Sequence, residues 1–340
     1  MNDTEVHEVE VEPGVRLRLR HRAAARPGAM DAVSADQGAS RPGTTDPVSA
    51  DQGASGPGTT EPVDDGAAGP GARPAEPTPF LLVHGLSSNA RLWDEVAEAL
   101  ADAGHPCWSV DLRGHGESDA PESGYDTGTA AADLAAVITA LGLRRPVVVG
   151  QSWGGNVVVR LAAKRPELPG ALGLVDGGWI DLHAAFPDWE SCERTLRPQD
   201  IDGRPAATMR QWLDSAHPDW SDTAREATLA NMRIRADGTM ERRLAIPHHL
   251  EILRSMWDDP PGPDLPLVAV PTLLLPALGP QDERAETVRR AAAALPDASV
   301  RWYPGGDHDL HAQHPDMITT DLRTLVTPRP GRGGRRKETA

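Results

Sequence analysis

A serine hydroxyl is a poor nucleophile at neutral pH and needs a positioned base, so the first question is which serine is held where a base can reach it. Gly150-Gln151-Ser152-Trp153-Gly154 is a G-x-S-x-G sequence. Ahead of it, Pro146 to Gly150 is a short apolar, β-branched run of the kind buried on both faces of a sheet. Behind it, Val157, Val158, Leu161 and Ala162 repeat at helical spacing. Strand, tight turn and helix are the context this motif requires. The turn strains the serine, small neighbours let strand and helix approach, and the hydroxyl is presented at the carboxyl edge of the sheet. The helix N-terminus behind it favours developing negative charge.

The base expected is His308, in Gly305-Gly306-Asp307-His308-Asp309 after the last strand. In an open α/β sheet that loop shares an edge with Ser152. His311 and His314 are rivals that fall within or against the following helix. Two carboxylates compete to orient the base through its other ring nitrogen. Asp282 follows the penultimate strand and is the first choice, its structural alternative being a helix N-cap. Asp176 ends the strand after the elbow and points to the same edge. Asp307, next to the base, complicates the choice. For an oxyanion the donors would be the backbone N–H groups of Trp153 and of Leu86, after His84-Gly85. His84 reads as a brace for its loop. The Arg113-Gly114-His115-Gly116-Glu117-Ser118 run matches no phosphate-loop spacing and reads as a structural turn.

The elements that must position these residues alternate. Val6 to Arg20 has period two and reads as an edge hairpin. Strands are expected at 80–83, 107–111, 146–150, 171–175, 272–275 and 299–303, with helices through Trp93 to Leu100 and over 130–141, 153 onward, 284–295 and 315–326. That order implies right-handed crossovers and a mainly parallel twisted sheet covered by helices, an α/β fold. The segment 177–266 breaks the alternation. It shows no clear strand and holds five tryptophans, Trp179, Trp189, Trp212, Trp220 and Trp257. It reads as a helical insertion above the carboxyl edge. Trp179, Trp189, Trp212 and Trp257 are candidates to line a bulky apolar ligand, core packing being the other account of them. His248-His249 reads as a helix-surface pair rather than a metal site.

Residues 23–79 are Gly, Pro, Ala, Ser, Thr and Asp with almost nothing large and apolar. DAVSADQGASRPGTT at 31–45 recurs as DPVSADQGASGPGTT at 46–60. Such a chain cannot offset an ordering entropy of roughly 1–2 kcal/mol per residue, and is expected to be a disordered insertion. The basic tail 328–340 is expected to be disordered as well. The organisation expected is therefore strands of the core at 1–22, the insertion at 23–79, core at 80–176, a helical cap at 177–266 and core at 267–327.

The chain of 340 residues has a formal net charge of −16, which argues against nucleic acid or an anionic membrane as the main partner. Cys107 and Cys192 form no disulfide framework and no metal-type spacing. Cys107 reads as a small core residue. With no apolar leader and no run of ~18 apolar residues, the expected location is the cytoplasm and the expected form a monomer or homodimer.

Together, Leu82-Val83-His84-Gly85, Val110 to Ser118, Gly150 to Gly155, Gly279 to Asp282 and Gly306-Asp307-His308 resemble the α/β-hydrolase superfamily, in the branch with a cap domain. They run in the right order over about 80–326. The resemblance implies a Ser-His-Asp hydrolase whose cap controls access, with no metal or cofactor. It also implies the chain order Ser152, Asp282, His308. The reaction expected is cleavage of an ester-like bond of a small, apolar substrate. Carbon–carbon bond hydrolysis, a cofactor-free haloperoxidase-like perhydrolase and a non-catalytic small-molecule receptor are the alternatives. The 23–79 insertion departs from the family pattern. A serine at 152 argues against the branches that use an aspartate nucleophile.

Overall fold

The computed structural model describes residues 4–25 and 76–327; the fifteen-residue repeat and the basic tail lie outside them. In chain order the core runs β1 (Glu5–Glu12), β2 (Val15–Arg22), β3 (Phe80–Val83), α1 (Asp94–Asp102), β4 (Cys107–Val110), α2 (Thr127–Ala140), β5 (Val147–Gln151), α3 (Trp153–Lys164) and β6 (Ala171–Val175). The inserted segment contributes α4 (Leu182–Ala185), α5 (Trp189–Leu196), α6 (Ala206–Ala216), α7 (Asp222–Leu229), β7 (Met232–Ile234), β8 (Met240–Arg242) and α8 (Ile246–Asp258). The core resumes with β9 (Thr272–Leu275), α9 (Ala285–Ala294), β10 (Ala298–Val300), α10 (Leu310–Gln313) and α11 (Pro315–Arg323).

Eight strands form one sheet in the order β1-β2-β4-β3-β5-β6-β9-β10. The β1–β2 and β2–β4 pairs are antiparallel, and every other pair is parallel. Every residue of β3, β5, β6 and β9 is buried, as parallel strands covered on both faces must be. Side chains alternate across the sheet. Leu81, Val83 and Val148 enter the core shared with α2 and α3. Phe80, Leu82, Val147 and Val149 enter the one shared with Trp93, Val96, Ile318 and Leu322. Each such side chain contributes about 1.5–3 kcal/mol on burial. This sandwich fixes the carboxyl ends of β3, β5, β6 and β9 side by side, and the chemistry-bearing loops leave from those ends.

The inserted segment corrects one expectation. Its helices are joined by the antiparallel pair β7–β8, with Ile234 opposite Met240 and Gly238 of the connecting turn at φ +80°. Strands of three residues are too short to display an alternation in sequence; the Asp237-Gly238 turn is the readable signal. Trp220 of this segment is buried against Leu92 and Ala312 of the core. Among the described residues, no helix is long and apolar enough to cross a membrane.

Candidate active site

Ser152 sits between β5 and α3 at φ 53°, ψ −125°, a left-handed conformation that costs a non-glycine residue of order 1–3 kcal/mol. Its neighbours leave no room for anything else. A Cβ on Gly177 would collide with the Ser152 backbone, and one on Gly154 with the carbonyls of Val83 and His84. A Cβ on Gly85 would stand 2.8 Å from the Ser152 Cβ. Three strand ends and the N-terminus of α3 thus close on one residue. Trp153 is the first residue of α3, so its amide is one of the orphan donors that a helix leaves at its start. The ring is core: it is buried, and its Nε1–H donates to Thr127 Oγ1 at 3.1 Å. Leu86, the second expected amide donor, lies directly after Gly85 and is packed against the core.

His308 is held beside this turn, since Gln151 Nε2, one residue before Ser152, donates to the His308 carbonyl at 3.1 Å. Its Nδ1 donates to Asp176 Oδ2 at 2.6 Å, which leaves Nε2 with the lone pair. The Asp176 carboxylate is anchored in turn, its Oδ1 accepting from the Ala277 amide at 2.9 Å. Burial pulls the His308 pKa down, but the Asp176 hydrogen bond and the charges of Asp309, Asp176 and Asp307 outweigh it, and the net shift is upward.

The expected partner of the base is therefore corrected. Asp282 does not meet His308. Its Oδ1 accepts from the Arg284 amide at 2.8 Å, and its two oxygens meet the Arg284 guanidinium at 3.1 Å each. Those bonds hold its carboxyl below the usual range, and they make it the turn that starts α9. Asp307 is occupied as well, 2.8 Å from His217 Nδ1 of the inserted segment. The rival His311 is fully buried against Trp93 at 4.1 Å, neither ring nitrogen has a hydrogen-bond partner, and burial pushes its pKa down to about 3.

A match to the family model described as alpha/beta hydrolase fold spans residues 78–315. The chain belongs to the alpha/beta hydrolase family. Among curated relatives, it is 27% identical over 269 residues to the non-heme chloroperoxidase of Streptomyces lividans, covering 74% of this chain and 93% of that one. A shorter stretch of 131 residues is 37% identical to the AB hydrolase superfamily protein YisY of Bacillus subtilis, covering 36% of this chain and 45% of that one. Among solved structures, E-2-(acetamidomethylene)succinate hydrolase superposes with a TM-score of 0.67 at 18% identity, over 95% of this chain and 99% of that one. Bromoperoxidase from Bacillus anthracis does so with a TM-score of 0.64 at 18% identity and the same coverage. At these identities the two structures speak for the fold alone.

In this alpha/beta hydrolase the loop after β3 is braced by two neutral histidines. His84 Nδ1 donates to the Gly85 carbonyl at 2.7 Å, Nε2 accepts from the Leu112 amide at 3.0 Å, and burial takes its pKa down to about 4. His115 Nε2 accepts from the Ser87 amide at 3.2 Å. The Arg113 to Ser118 run is the structural turn expected from its spacing. Arg113, 2% exposed, meets both oxygens of Asp133 at 2.7 Å, and Asp111 accepts from the Ala90 and Glu117 amides.

His249 departs from the expectation of a surface pair. It is buried, Ser87 Oγ donates to its Nδ1 at 2.8 Å, its Nε2 donates to the Leu196 carbonyl at 3.2 Å, and burial takes its pKa down to about 4. Ser87 itself has φ 59°, so the inserted segment holds a strained residue one position after Leu86. The signal exists in sequence, since His249, Ile252, Leu253 and Met256 form the buried i, i+3, i+4, i+7 stripe of α8. His248, the other half of the pair, stacks on Tyr125 at 4.0 Å.

The four candidate tryptophans do not form one wall. Trp189 and Trp257 pair edge to face at 5.9 Å, and with Trp179 they pack on the core. Trp212 is 55% exposed and meets only His217 among the ring contacts, at 5.7 Å.

Proposed function

We propose that this chain is a serine hydrolase that cleaves an ester-like bond of a small, apolar substrate through Ser152, His308 and Asp176. The single observation that carries the reading is the 2.6 Å bond from His308 Nδ1 to an Asp176 carboxylate that a backbone amide also fixes. With Nδ1–H committed to Asp176, Nε2 is free to take the Ser152 proton as Oγ attacks the carbonyl carbon. The oxyanion of the tetrahedral intermediate would rest on the Trp153 and Leu86 amides. His308 then returns the proton to the leaving alcohol, and water, deprotonated by His308, releases the acid and regenerates Ser152. Asp176 stays ionised and stabilises the imidazolium. One oxyanion donor is typically worth ~10²–10³ in rate.

The segment 177–266 acts in this reading as a cap. Its His217 and Asp219 hold the base loop through Asp307 and Gln313, and its His249 holds Ser87 in the oxyanion loop. No cofactor or metal takes part in the step. The test is Ser152→Ala, which abolishes fluorophosphonate labelling and p-nitrophenyl ester turnover; full turnover in that variant would sink the reading.

A second reading has support in the names of the chloroperoxidase and haloperoxidase relatives. The same acyl-enzyme, taken by hydrogen peroxide in place of water, yields a peracid and free Ser152. Halide oxidation that requires both a short carboxylic acid and Ser152 would favour it over plain hydrolysis.

A further inference from the structure

The covered face of the β1–β2 hairpin is apolar where it meets the core and then changes character. Val9 and Leu17 face each other across the ladder and are buried, and Leu19 continues the row. At the open end of the hairpin the same face carries His7, Glu5 and His21, with Glu5 directly opposite His21. Period two places all three on the side where further apolar residues would be expected. None of them has a part in the chemistry of Ser152. His21 pairs with Trp108, near the amino end of β4, whereas Ser152 stands at the carboxyl end of the parallel strands.

The donor atoms of the three side chains lie within 4.8 Å of one another. His7 Nε2 and His21 Nδ1 are each 3.4 Å from the same oxygen, Glu5 Oε2. A tetrahedral zinc ion with bonds of about 2.0–2.1 Å spaces its ligand atoms about 3.3–3.4 Å apart, so two edges of such a tetrahedron are already present. His7 Nε2 is buried and has no partner other than this Glu5 oxygen, which His21 Nδ1 also meets. The rings are fixed from behind by one residue, His21 stacking on Trp108 at 4.0 Å and His7 meeting its edge at 4.8 Å.

We propose that Glu5, His7 and His21 form a binding site for a divalent cation of the zinc class, bound through Glu5 Oε2, His7 Nε2 and His21 Nδ1, with water in the remaining position. Two imidazoles and one carboxylate suit Zn²⁺ and its neighbours in the first transition row and are poor ligands for Mg²⁺ or Ca²⁺, which take oxygen. The site joins the first residues of β1 to the last of β2, so the ion fastens the hairpin at the end where no turn closes it. Ligation needs neutral imidazoles, so uptake is expected to fall in acid.

The experiment uses the full chain without a polyhistidine tag, stripped with a chelator and then equilibrated with Zn²⁺. The wild type is expected to retain one zinc per chain after dialysis and to melt at a higher temperature with zinc than without it. His7→Asn and His21→Gln should each weaken zinc binding by more than the roughly 10–100-fold that loss of an outer-shell partner costs. Their zinc-free melting temperatures should stay near that of the zinc-free wild type. Glu5→Gln keeps shape and polarity, and should show the same loss of affinity even if a histidine variant folds poorly. Wild type that takes up no zinc saturably, or a His7/His21 double variant that still binds one equivalent, would overturn the proposal.

Discussion

Two turns at the carboxyl edge of the sheet each carry an aspartate, and only the one after β6 brings it to His308. Asp176 follows β6, the immediate neighbour of the elbow strand β5; Asp282 follows β9, one strand further out. The nearer turn is built for close approach. Asp176 has φ 41°, and Gly177 and Gly178 behind it pack on the Ser152 turn and on Gly155, where side chains would not fit. The farther turn serves a helix instead, its carboxylate being committed to the Arg284 amide and guanidinium at the start of α9. What decides between two acids on one edge is how the backbone around each is committed, to the Ser152 turn through Gly177 in one case and to Arg284 in the other.

The comparison can be broken in graded steps. Ser152→Ala removes the group both turns would serve, and ester turnover should fall by roughly 10⁶-fold, as when the nucleophile of a triad is removed elsewhere. Asp133→Ala tests the frame instead of the site. It leaves the buried Arg113 with only the Glu12 carboxylate and the Ser123 carbonyl as partners, so stability should fall by up to about 3–5 kcal/mol, read from denaturant unfolding. His249→Phe removes the support of Ser87, and kcat should fall by less than the ~10²–10³ that outright loss of an oxyanion donor costs, with KM little changed. The acid limb of kcat/KM should titrate above the ordinary histidine value of about 6.5. Because the neutral imidazole is the active base, activity rises with pH through that limb. In Asp176→Asn the residual activity should show the limb at lower pH, since the hydrogen bond and charge that raise the pKa are gone while burial remains. Smallest of all, Asp282→Asn should leave kcat/KM within about threefold and shift only thermal stability, slightly, by weakening the turn before α9.

Much of this is legible in sequence. The strand–turn–helix around Ser152, the buried runs of β3, β5, β6 and β9, and the loop bearing His308 all carry local patterns of period and turn chemistry, and those patterns are what set the elements. The acid is not, because distances between loops depend on strand order: β3 lies between β4 and β5, and β6 between β5 and β9, which no local pattern encodes. His249 escapes for a related reason. Two adjacent histidines invite a surface reading, while the stripe with Ile252, Leu253 and Met256 is the better guide. The β7–β8 pair escapes because three residues show no period.

The central claim is that Asp176 orients His308 for Ser152. Measuring kcat/KM for Asp176→Asn and Asp282→Asn side by side, on one ester and at one pH, tests it most directly. A fall of about 10⁴-fold for Asp176→Asn with near wild-type activity for Asp282→Asn is the predicted result. The reverse order, or equal small effects in two folded variants, would contradict it.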